Sequence, residues 1–224
     1  MFSKKTAKFL NDLSKNNNRD WFNTNKHRYE DDVRTPALEF IESMTPALHR
    51  ISPFFDASPK KVGGSLMRVY RDTRFGTDKT PYKTNIGIHF RHIRAKDVHA
   101  PGFYLHIEPK EVFFGAGIWR PESSSLKGIR TLIDEHPKEW LSLKKKLTTK
   151  SDFSLQGNSL KRPPKGFATE HPLIDDLKRK DFIAVCPLPI DSIRADDLSK
   201  QIAKLMRKSS KLMEFLCTAD DLMY

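Results

Sequence analysis

Residues 102–119 read GFYLHIEPKEVFFGAGIW, and this stretch decides the fold. Two runs rich in aromatic and β-branched residues flank Pro109-Lys110, the pattern of two antiparallel strands joined by a tight turn. With the turn placed there, Glu108 faces Glu111, His106 faces Phe113 and Tyr104 faces Gly115. Phe103, Leu105 and Ile107 then share a face with Val112, Phe114 and Ala116. That face is wholly apolar, so it must turn to the core. The opposite face carries Tyr104, His106 and Glu108 against Gly115, Gly117 and Trp119. Glycine weakens a strand, and its use beside polar side chains marks a place where something approaches the backbone.

The stretch before the hairpin obeys the same period. NIGIHFRH (85–92) puts Ile86, Ile88 and Phe90 on the core side and Asn85, Gly87 and His89 on the other. Three strands therefore share one polar face with His89, Tyr104, His106 and Glu108. Two histidines and a glutamate make His89, His106 and Glu108 the candidate metal ligands, although no HExxH pattern or cysteine cluster accompanies them. SLMRVYRD (65–72) alternates as well and reads as a further strand, and DFIAVCPL (181–188) as one at the sheet edge or packed on it.

Helical spacing flanks this region. Residues 3–15 carry Phe9, Leu10 and Leu13 on one face, with Ser3 able to cap. Asn18 can cap a second amphipathic stretch through Phe22, Tyr29, Val33, Phe40, Met44, Leu48 and Ile51, which Pro36 and Pro46 are expected to break. Residues 122–147 form two helices separated by Pro137, residues 148–180 are polar and turn-rich, and Leu198, Ile202, Leu205, Leu212 and Leu216 stripe a C-terminal helix. Helices, then strands, then helices predict an α+β fold in one domain, 1–224. Its mostly antiparallel sheet of about four to six strands is flanked by N-terminal and C-terminal helices.

Composition fits a globular chain. Of 224 residues, 38% are hydrophobic and 30% charged, enough to bury a sizeable core. Forty Lys and Arg against 28 Asp and Glu leave a net charge of +12, which attracts anionic partners, nucleic acid included. No zinc-finger spacing or ribonucleoprotein aromatic signature supports the nucleic-acid reading. Two cysteines, Cys186 and Cys217, make no disulfide framework and suit a reducing compartment. No signal-peptide pattern opens the chain and no run approaches the length of a membrane span, so a cytoplasmic protein without a membrane partner is expected.

The charge concentrates in RVYRDTRFGTDKTPYKT (68–84). Arginine offers a planar fork to carboxylate or phosphate, and lysine a point charge. Arg68, Arg71, Arg74, Lys79, Tyr82 and Lys83 are therefore candidate ligands for an anionic small molecule. Tyr104, Gly115 and Gly117 of the hairpin complete the expected hollow. Asp72, Asp78 and His106 are the candidate catalytic acids or bases. The competing reading is a salt-bridge network that pins a loop to the sheet, leaving a non-catalytic scaffold. No phosphate-binding glycine loop and no nucleophile elbow is present, and no residue pattern names a cofactor.

Four blocks, NNNRDWFNTNKHRYEDDV, RVYRDTRFGTDKTPYKTNIG, GFYLHIEPKEVFFGAGIWRPE and GIRTLI, occur in this order, followed by PPKGF and HPLIDDLKRKDF. Together they resemble the proteins catalogued as domain of unknown function 2461, over nearly the whole chain. The resemblance rests on Arg19, Asp20, Trp21, Arg71, Asp72, Arg74, Phe75, Asp78, Lys79, Pro81, Tyr82 and Lys83, with Tyr104, Gly115 and Gly117 from the hairpin. It implies a single α+β domain of this length and brings with it no activity, substrate or cofactor.

Overall fold

The computed structural model describes residues 2–74, 76–94, 99–149 and 152–224. Helix α1 (Lys4–Lys15) starts at a capping box. The Ser3 hydroxyl accepts the Lys5 amide at 3.1 Å, and the Thr6 hydroxyl accepts the Ser3 amide at 3.0 Å. Its Phe9, Leu10 and Leu13 are buried. Helix α2 (Arg19–Thr24) is capped by Asn18, whose side chain accepts the Trp21 amide at 2.9 Å. A short α3 (Lys26–Tyr29) and a π-helical turn over Glu30–Arg34 lead into α4 (Thr35–Ile51).

Of the two expected breaks, one falls at Pro36, where α4 begins, and the other does not occur. Pro36 lies in the first turn of α4, and Pro46 sits inside a helix that continues to Ile51. A proline at 36 leaves the carbonyl of residue 32 without its helical donor and crowds it. Here the chain widens to a π turn, and the Thr6 hydroxyl donates to the Asp32 carbonyl at 2.7 Å. α1 thus supplies the bond that the proline removes. At Pro46 the residue four back is Glu42, which is exposed, so water can meet its carbonyl.

Strands β1 (Ile86–Arg91), β2 (Gly102–Glu108), β3 (Glu111–Ile118), β4 (Ser154–Gln156) and β5 (Phe182–Leu188) form one antiparallel sheet in the order β1-β2-β3-β5-β4. The hairpin has the expected register: Glu108 pairs with Glu111, His106 with Phe113 and Tyr104 with Gly115. β5 lies inside the sheet and not at its edge. The edge on that side is β4, in the stretch expected to be turn-rich, where three residues around a single Leu155 are too few to show a period.

Residues 65–72 do not form a strand. They run beside β1, with the Met67 amide on the Gly87 carbonyl at 2.9 Å and the His89 amide on the Ser65 carbonyl at 2.8 Å. They then leave it. The Lys83 amide bonds Val69 and the Arg71 amide bonds Pro81, making an irregular clasp of their own. Pro81 has no N–H to give, so no regular ladder can grow there.

The core face of the sheet buries Ile88, Phe90, Phe103, Leu105, Phe114 and Phe182 completely. Against it pack α4 and the long C-terminal α8 (Leu198–Ala219), which buries Leu198, Ile202, Met206 and Leu216. Between them in sequence come α5 (Ser123–Glu135), α6 (Pro137–Thr149) and the single turn α7 (Ile174–Leu177). Trp140 of α6 is fully buried against Phe182 and Phe215. Cys186 and Cys217 are both buried and unpaired. Among the described residues, no helix is long and apolar enough to cross a membrane.

Candidate functional site

The other face of the sheet carries a cavity of about 490 Å³. Its floor is the glycine-rich backbone of β2 and β3, and the glycines there have different reasons. A Cβ on Gly87 would lie 2.7 Å from the Tyr104 hydroxyl and 2.9 Å from the Met67 sulfur, so this glycine seats the tyrosine. A Cβ on Gly102 would collide with the His89 ring, so that glycine seats the histidine. Gly117 has φ +139° and the Phe182 carbonyl against its missing Cβ, so strand packing explains it. Gly115 alone of these four would take a Cβ without a clash, its nearest neighbour being the Tyr104 Cβ at an ordinary contact distance of 3.8 Å.

The walls come from several elements. Phe113 stacks on His106 with ring centres 4.6 Å apart and planes within 6°. Trp119 stands at the end of β3, and Ile183 and Val185 reach in from β5. Met67 and Lys83 close the side beside β1. The polar groups are few: His89, Tyr104, His106 and Lys83.

Their chemistry follows from burial. Burial holds His89 neutral, lowering it to about 4, with Arg91 acting in the same sense. Burial pushes the Tyr104 hydroxyl up to about 12, so it stays a donor. Lys83 is lowered by burial and then by Arg68. Asn85 Nδ2 and Tyr104 Oη lie 3.4 Å and 3.3 Å from His106 Nδ1. An amide NH₂ only donates, so Nδ1 accepts and the neutral ring keeps its proton on Nε2. That nitrogen is buried and has no hydrogen-bond partner among the described residues; Glu108 Oε1 stands 3.7 Å away. Burial lowers His106 although Glu108 and Glu111 work against it.

The ligating atoms of His106, Glu108 and Glu111 lie within 4.8 Å of one another, close enough to hold a cation. His89, the other expected metal ligand, is not in that group and rests over Gly102.

The charged loop is elsewhere. Arg71 pairs with Asp78 and also donates to the Thr80 hydroxyl at 2.6 Å. Arg74 grips Asp72 with two nitrogens, at 3.0 and 2.7 Å. Lys79 donates to the Thr73 carbonyl at 2.8 Å. Both aspartates are held below the usual carboxylate range, Asp72 by Arg74 and Asp78 by its bonds from Thr80 and then Arg71. Tyr82 is buried and stacks on Phe22 at 4.0 Å. Asn17 clasps the Tyr82 backbone from both sides, accepting its amide at 3.1 Å and donating to its carbonyl at 2.9 Å. Arg71 and Tyr82 line a smaller hollow with Arg19 and Tyr70. Phe75 lies outside the described residues.

The expected residues therefore separate. Tyr104, His106, His89, Gly115, Gly117 and Lys83 meet at the cavity, whereas on an exposed loop Arg71 pairs with Asp78, Arg74 with Asp72, and Lys79 with the Thr73 carbonyl. Arg68 lies between, in a cleft next to the cavity. Sequence reading missed Ile183 and Val185, which belong to the site only through the sheet order, and Met67, which the irregular segment beside β1 brings to it. It also missed Asn85, although its side of β1 was read correctly.

Residues 5–215 match the family described as Conserved hypothetical protein (DUF2461). The chain belongs to this family. No curated protein and no solved structure matches the chain. The DUF2461 match takes in the cavity-forming hairpin and the charged loop alike.

Proposed function

We propose that this DUF2461 chain binds a small molecule in the cavity above the sheet, with the ligand's apolar body over Gly115 and an anionic group toward Lys83. The observation that carries the reading is the cavity itself: about 490 Å³, apolar for most of its lining, with four polar groups converging on it. Ligand pockets have this size and this composition. Of the catalytic candidates, His106 is the one placed to move a proton there, being neutral and next to the Tyr104 hydroxyl. Asp72 and Asp78 already serve arginines. The chain is taken as one domain, because core residues from Phe2 to Cys217 form a single cluster. Two unpaired cysteines favour the cytoplasm.

The test fills the cavity without disturbing the backbone. Gly115 has room for a Cβ, so Gly115→Leu should fold and place its side chain in the ligand's space. Fluorescence of Trp119, at the cavity wall, reports binding of small aromatic carboxylates and phosphates. Gly115→Leu should abolish that response while keeping the wild-type melting temperature. An unchanged affinity in a folded Gly115→Leu removes the ligand from the cavity.

A second reading concerns the loop alone. Its ion pairs and the Asn17 clasp favour a structural role, a staple that holds residues 69–83 against α2. The nucleic-acid alternative draws on the net charge of +12 and predicts retention on DNA that falls steeply with salt.

A further inference from the structure

Beside the cavity, between α3, the π turn, residues 61–70 and β1, lies a second hollow of about 480 Å³. Five cations line it: Arg34, Lys61, Arg68, Lys83 and Arg91. Among the described residues, no aspartate or glutamate does. Arg34 is the only one of the five with an ion pair among the described residues, to Glu30 at 2.5 Å. Arg91 donates to the Gly63 carbonyl at 2.8 Å, a neutral acceptor. Lys83 and Arg68 are close enough for the second to depress the first. Cations gathered without carboxylates repel one another, and an anion placed among them relieves that repulsion.

The two hollows adjoin. Met67, Lys83 and His89 line both. One molecule can therefore lay an apolar body over Gly115 and pass a charged head across these three side chains. A single carboxylate would leave most of the cleft's charge unanswered. A phosphate monoester offers up to two charges and three acceptor oxygens, which suits the forks of Arg68 and Arg91 and the point charges of Lys61 and Lys83. We propose that the cationic cleft is the head-group subsite of the cavity's ligand, and that this ligand is a phosphate monoester of a compact apolar alcohol. This rests on the small-molecule reading above.

The experiment separates the two claims. Isothermal titration compares 1-naphthyl phosphate and hexyl phosphate with 1-naphthol, hexanol and inorganic phosphate, on the wild-type chain, Arg68→Ala and Gly115→Leu. Arg68 is exposed, so its loss should leave the fold intact. At least one monoester should bind roughly tenfold or more tighter than its parent alcohol, the advantage expected of charge-assisted phosphate contacts. Arg68→Ala should remove most of that advantage and leave the alcohol's affinity alone, and Gly115→Leu should weaken ester and alcohol together. Ester and alcohol binding equally, or an advantage untouched by Arg68→Ala, overturns the subsite while the cavity stands. No binding of any of the four organic probes overturns both. Capture by vesicles containing phosphatidic acid, with no affinity for the soluble esters, would put the phosphate on a membrane lipid and overturn the compact ligand.

Discussion

His89 links the cavity to pH, and the size of the effect can be worked out. The ring sits over Gly102, edge-on to Tyr104 at 6.4 Å, and among the described residues the charged groups lining its two hollows are all cations. Its affinity for a proton falls from an ordinary 6.5 to about 4. Between those values the unfolded chain binds a proton that the folded chain refuses, so stability must fall as the solution is acidified. At about pH 5 the loss is about 1.5 pH units at about 1.36 kcal/mol each, or about 2 kcal/mol. Above about pH 7.5 the contribution vanishes, because both states are neutral. The perturbation is His89→Gln, which keeps a polar side chain and cannot titrate. Urea unfolding of both proteins across about pH 5 to 8 isolates the residue, since His92, His106 and the carboxylates titrate in both. The wild type should lose about 2 kcal/mol more than His89→Gln between the two ends. Parallel stability curves, or a ring that titrates near 6.5 by NMR in the folded chain, would refute the reasoning.

Three further substitutions test the local geometry. Gly117→Ala forces a side chain into φ +139° and against the Phe182 carbonyl, so it should lower stability by at least about 1–3 kcal/mol, read from the unfolding midpoint. Gly115→Ala, whose Cβ would meet its nearest neighbour at an ordinary 3.8 Å, should change it far less, and equal losses would contradict the distinction. Asn17→Ala removes two part-buried hydrogen bonds to the Tyr82 backbone and should lose about 1–3 kcal/mol, with faster amide exchange at Lys83 and Arg71. Unaltered exchange at those amides would mean that Asn17 does not hold the loop.

What could be read in advance depended on how local the cause was. The β2–β3 register was legible because a period of two, a two-residue turn and one fully apolar face leave a single alignment. The Ser3 and Asn18 caps were legible for the same reason, each depending on residues within one helical turn. Pro46 misled because helix breaking depends on whether the orphaned carbonyl can find another partner, and Glu42 is exposed, so solvent can reach its carbonyl. Pro36 was rescued by Thr6, thirty positions away in sequence, and no local rule carries that information. Residues 65–72 alternate like a strand but lack a regular partner, because Pro81 interrupts the segment they meet.

The charged loop shows the same limit from the other side. RDTRF and DKTPYKT drew attention because their charges are adjacent in sequence, yet adjacency is what lets them neutralise one another: Asp72 is two residues from Arg74, and Asp78 seven from Arg71. Charge that is dense in sequence is satisfied cheaply in space, and little of it remains for a ligand. The cleft works the opposite way. Arg34 comes from the π turn, Lys61 and Arg68 from the segment before the sheet, Lys83 from the end of the loop and Arg91 from β1. Each is unremarkable in its own neighbourhood. Only the fold brings them together, and because they arrive from separate segments, most of them arrive without a carboxylate. Scattered cations with little built-in counter-charge are therefore the better mark of an anion site here than the conspicuous motif.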